Sequence, residues 1–153
     1  MSILYSRVEP TLVVSTSPAY SAGDVVGGLL TIDASGALVG AILNRIVIAD
    51  ADNRKADFTL YLFRSAPTVI ADNAAFTLSF ADAKKLSMAI AIPAANYTTI
   101  GSLAVGEVDG INRTLGGGLG TIYGYLVLGV ATPTYTVTTN LWMGMDFLNA
   151  GVH

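Results

Sequence analysis

Phe58-Thr59-Leu60-Tyr61-Leu62-Phe63 alternates over its whole length. A period of two puts Phe58, Leu60 and Leu62 on one face of a strand and Thr59, Tyr61 and Phe63 on the other. Both faces carry apolar bulk. Such a strand needs the core on one side and a second cover on the other, and a neighbouring subunit is the expected cover.

The same period recurs outward. Leu86 to Ile92 sets Leu86, Met88, Ile90 and Ile92 against Ser87, Ala89 and Ala91, and Pro93 ends it. Upstream, Leu12-Val13-Val14 lies between Pro10 and Pro18. Val25 to Ile32 follows the turn Ser21-Ala22-Gly23-Asp24, and Val39 to Ala49 carries the β-branched Ile42, Ile46 and Ile48. Gly27-Gly28 marks a bulge or a close approach. Downstream come Tyr97 to Val105, Thr121 to Val130 and Tyr135 to Met145. Helix signals are confined to Asn73 to Lys85, where Ser79 or Asp82 suits a cap. About eight short strands with short connections predict a single-domain antiparallel β-sandwich over residues 1–153. A jelly roll is the preferred topology.

Composition narrows the function. Only 12% of the 153 residues are charged, against about 25% in an ordinary soluble domain. Mean hydropathy is +0.58. No apolar run reaches the roughly 18 residues of a membrane-spanning helix, and Met1 to Pro10 has no apolar signal core. A chain so poor in charge either covers its surface with Ser, Thr and Asn or hides apolar surface against partner subunits, and the second is the one expected. The net charge is −3 and the eight basic residues are scattered, so no nucleic-acid stripe forms. There is no cysteine.

Chemistry is sparse. The one histidine is His153, at the end of the chain, which speaks against a Ser-His-Asp triad or a histidine metal site. Leu115-Gly116-Gly117-Gly118-Leu119-Gly120 lacks the Gly-Lys-Ser/Thr ending of a phosphate loop and reads as a plain loop. Asp50, Asp52, Asn53 and Asp57 cluster, but Lys55 and Tyr61 stand where a calcium loop needs glycine and glutamate. A solvated turn is expected there. No motif selects a glycosidase pair from the carboxylates. Neither catalytic residues nor a cofactor are expected.

Two segments carry a resemblance. Ala19-Tyr20-Ser21-Ala22-Gly23-Asp24-Val25-Val26-Gly27-Gly28 and the stretch from Leu60-Tyr61-Leu62-Phe63 through Pro67-Thr68-Val69-Ile70-Ala71-Asp72-Asn73-Ala74-Ala75-Phe76 resemble small structural proteins of tailed bacteriophages. The match in order and spacing spans roughly the first 95 residues. It implies a non-enzymatic virion protein, of the capsid decoration (cement) type. Such a protein would be made in the bacterial cytoplasm and sit on the capsid surface. Its partners would be the major capsid protein and copies of itself, as a homotrimer, with no nucleic acid and no membrane. The interface residues expected are Tyr61, Phe63, Tyr123, Tyr125 and Trp142. The alternative is a lectin-like module of a fibre or spike that binds cell-surface glycans through exposed aromatics such as Trp142. On the residues alone, Asp72-Asn73 reads as an Asx-type turn that bonds nearby backbone.

Overall fold

The computed structural model describes residues 4–33, 42–115 and 120–149. Gly116-Gly117-Gly118 and His153 lie outside them. Ten strands follow in chain order: β1 (Leu4–Val8), β2 (Val25–Asp33), β3 (Ile42–Asp50), β4 (Phe58–Phe63), β5 (Leu86–Ile92), β6 (Tyr97–Ile100), β7 (Leu103–Val108), β8 (Arg113–Thr114), β9 (Thr121–Leu128) and β10 (Leu141–Asn149). Among the described residues there are two helical turns: α1 (Phe80–Ala83), capped by the Ser79 hydroxyl, which accepts from the Asp82 N–H, and a 3-10 turn at Ala94–Asn96. Among the described residues, no helix is long and apolar enough to cross a membrane.

The strands form two antiparallel sheets. One runs β1-β10-β3-β7-β6, with β8 beside β3, and the other β2-β9-β4-β5. The pairs β1·β10, β2·β9, β3·β7 and β4·β5 are nested, so the chain is a long hairpin rolled on itself. This is the strand order of a jelly roll, with β6 and β8 as additions. Residues facing inward from both sheets form one core, including Leu30, Ile32, Leu43, Ile46, Ile48, Leu60, Leu62, Met143, Met145 and Phe147, each at most 1% exposed. The inward set in β4 is Phe58, Leu60 and Leu62, as the alternation requires.

Four segments differ from expectation. The chain from Tyr97 to Val105 breaks at Gly101, which sits at φ +63, so one strand becomes the hairpin β6–β7. Tyr135 to Asn140 stays out of β10 because the Asp52 carboxylate captures both the N–H (2.8 Å) and hydroxyl (2.7 Å) of Thr136. Leu12 and Val14 are buried and Val13 exposed, yet only the Val14 N–H reaches β10's lead-in, at the Thr138 carbonyl. The helix expected over Asn73 to Lys85 shrinks to α1, because residues 73–76 bond to the backbone at Gly23 and Val25 instead.

Candidate functional site

Tyr61, Phe63, Tyr123 and Tyr125 do come together. They share the outer face of the four-stranded sheet, with Tyr61 opposite Tyr125 and Phe63 opposite Tyr123. Their cover is not another subunit. The chain's own segment between β4 and α1 folds back across them and forms a second apolar cluster with Ile70 and Phe76. Phe76 stacks on Tyr61 at 4.8 Å, and Phe63 meets Tyr125 edge-on at 6.0 Å. The Tyr125 hydroxyl donates to the Thr68 carbonyl (2.7 Å) and accepts from the Ile70 N–H (2.9 Å). Phe63 is fully buried and Tyr125 nearly so, which leaves neither a surface for a partner. Only Tyr61 and Tyr123 stay half-exposed.

The two segments that carry the resemblance hold this strap in place. Asp72 Oδ1 accepts from the Tyr20 hydroxyl (2.6 Å) and the Gly27 N–H (2.7 Å). Backbone bonds join Asn73 N–H to Val25, Val25 N–H to Ala74, and Phe76 N–H to Gly23. Gly27 sits at φ +85, and an added Cβ there would run into Leu12. Asp72-Asn73 do form the expected turn, closed by the Ala74 N–H on the Ala71 carbonyl (3.3 Å), but the Asp72 side chain reaches partners far away in the chain instead of nearby backbone. No local pattern could name Tyr20 or Gly27 as those partners.

One end of the sandwich is built differently. Its loops are tied together by three aspartates. Asp50, 1% exposed, accepts the N–H groups of Asp52 (3.0 Å), Arg54 (2.7 Å) and Lys55 (3.0 Å). Asp52 holds Thr136, and Asp57 accepts the N–H groups of Val130 and Ala131, both at 3.1 Å. The acidic cluster is thus a loop-binding knot, not the solvated turn expected. Charge-assisted bonds to backbone N–H groups are among the stronger ones. They also hold Asn53 and Lys55 at φ +54 and +51, a conformation that costs a non-glycine residue roughly 1 kcal/mol. Five aliphatic side chains are exposed at this end: Val130 (85%) and Val137 (49%) on the loops that Asp57 and Asp52 hold, Ile100 (58%) and Leu103 (37%) at the tip of the β6–β7 hairpin, and Val13 (53%) between β1 and β2.

Trp142 lies on the outer face of the six-stranded sheet. Its ring covers Gly144, where an added Cβ would stand 2.6 Å from the ring edge. The Arg7 guanidinium sits 5.6 Å from the ring centroid and grips Asp146 with two bonds of 2.6 and 2.8 Å. Arg45 continues the stripe to Glu107, Asp109 and Asp146. Cross-strand pairs of opposite charge such as these stabilise a sheet face.

Two carboxylates here predict an acid limit. Hydrogen bonding from Thr68, then from Lys85, holds the Asp82 carboxyl well below the usual range, and hydrogen bonding from Arg7 lowers that of Asp146. A folded pKa below the unfolded value of about 3.9 adds stability above that value and loses it as pH falls further. The melting temperature is expected to drop from about pH 5 downward, and Asp82→Asn to flatten that slope in thermal melts across pH.

Among the described residues, no group of three or more His, Cys, Asp or Glu is placed to hold a metal ion. No protein-family model, curated protein or solved structure matches this chain.

Proposed function

We propose that this chain is a non-enzymatic virion protein that acts through protein interfaces, a capsid decoration protein of a tailed bacteriophage working as a homotrimer. The observation that supports this reading is the loop end described above. Exposed aliphatic side chains on flexible loops would lose entropy on binding. Here aspartates have already ordered the loops that carry Val130 and Val137, and Ile100 and Leu103 stand on a strand hairpin, so most of that cost is met at folding. Val13, Ile100, Leu103, Val130 and Val137 then offer dry surface to the capsid and to sister copies. A protein that binds assembled subunits better than free ones stabilises the assembly by mass action. A closed cyclic oligomer suits three-fold positions on a shell. Jelly rolls recur in viral capsid domains, a likeness of architecture that is compatible with the reading.

The surface side chains of this end are the ones to test. Val130→Asp and Val137→Asp change exposed positions, and each should move stability by no more than about 0.5 kcal/mol. Binding to heads assembled without the protein is expected to fall at least about tenfold in each. Light scattering after size exclusion should give three times the 15.8 kDa chain mass for the wild type. Undiminished head binding by both variants would overturn this assignment of the interface. Failure of the wild type itself to bind such heads would overturn the decoration reading.

A further inference from the structure

Beside Trp142 the sheet edge opens. The β1·β10 ladder ends at the pair Val8 and Met145. Continued in register, Glu9 to Leu12 would face Gly144 to Leu141. Pro10 has no N–H to give, and among the described residues no backbone hydrogen bond joins residues 9–12 to 139–142. Contact resumes at the bond from Val14 N–H to the Thr138 carbonyl, 3.0 Å. The gap is a groove lined by Glu9, Pro10, Thr11, Leu12, Thr139, Leu141 and Trp142.

The lining is graded. Leu12 (7% exposed) and Leu141 (2%) are buried and form an apolar floor. Pro10 and the half-buried Trp142 make the walls, and the exposed Glu9, Thr11 and Thr139 make the rim. Glu9 is singular. Every other carboxylate among the described residues has a hydrogen bond, an ion pair or another interaction, while the exposed Glu9 makes neither a hydrogen bond nor an ion pair. Arg7 is itself committed to Asp146 and braces the indole, so the ring is held before any ligand arrives.

We propose that this groove binds the ring of a neutral pyranose sugar. A pyranose has an apolar face of C–H groups and a rim of hydroxyls. The indole takes the C–H face, Glu9 accepts from two neighbouring hydroxyls, and the threonine hydroxyls both donate and accept. A second cation is a poor occupant, because the Arg7 guanidinium already lies against the same indole. The site is separate from the aliphatic loop end and does not depend on the capsid reading. A single-ring ligand in an open groove is expected to bind with Kd on the order of 1 mM.

Trp142 is the one tryptophan of the chain, so its fluorescence reports on the groove directly. The test titrates the full chain with the methyl pyranosides of glucose, galactose, mannose and N-acetylglucosamine. A saturable change in Trp142 emission is expected with at least one of them. Amide shifts in an NMR titration should be confined to Glu9, Thr11, Leu12 and residues 139–142. Glu9→Gln and Thr139→Ala, both at exposed positions, should each weaken binding about tenfold with the melting temperature unchanged. No saturable change with any of the four at up to roughly 50 mM would overturn the proposal. So would shifts centred elsewhere, or a Glu9→Gln variant that binds like the wild type.

Discussion

Phe63→Asp is expected to abolish folding rather than assembly. Phe63 is fully buried beneath the strap, against Tyr125. Removing a buried phenylalanine costs about 3–5 kcal/mol. An aspartate in its place adds a carboxylate with no partner, or the cost of protonating it. The sum reaches about 5 kcal/mol or more, which rivals the whole stability of a domain this size. Expression of the variant should yield aggregated or unfolded protein, read by circular dichroism and solubility. A folded Phe63→Asp variant with wild-type melting would mean that the strap does not cover this face. Phe63→Leu keeps most of the apolar volume and should fold, with a loss of about 1 kcal/mol.

Asp50→Ala is expected to have the second largest effect. The wild-type carboxylate satisfies three N–H groups of one turn, from a position with 1% exposure. Alanine leaves all three without an acceptor, at about 1–3 kcal/mol for each donor that water cannot reach. A loss of about 3 kcal/mol follows. For a chain of this size that lowers the melting temperature by about 10 °C. Hydrogen exchange should localise the damage: the amides of Asp52, Arg54 and Lys55 lose protection while β9 keeps its own. The same variant should loosen the loop end and so weaken head binding more than its residual fold loss explains. Melting within 2 °C of the wild type would show that the turn stands without its knot, with roughly 0.5 kcal/mol at stake.

Particular residues show how far the sequence could be read. The inward and outward sets of β4 and β5 follow from alternation alone, because a strand's two faces are set by local backbone geometry. Ser79 was legible as a cap for the same reason: its partner is three residues away. β1 was missed. Leu4-Tyr5-Ser6-Arg7-Val8 has weak alternation, and it is a strand because β10 pairs with it from the far end of the chain. The loop from Tyr135 to Asn140 reads as strand by composition, yet Asp52 holds it out of the ladder.

The second face of β4 shows the same division. That Tyr61 and Phe63 need a cover could be read from six residues. That the cover is residues 64–79 of the same chain could not, since Asp72 binds partners 52 and 45 positions away. The groove at Trp142 likewise exists only because Pro10 parts two segments that lie at opposite ends of the chain. The sequence by itself determined the class of fold, an antiparallel sandwich rich in short strands, because periodicity and turn residues act over a few positions. The tertiary structure alone decided which apolar faces are spent inside the molecule and which remain for partners. That choice rests on hydrogen bonds between segments distant in the chain, and no local pattern encodes them.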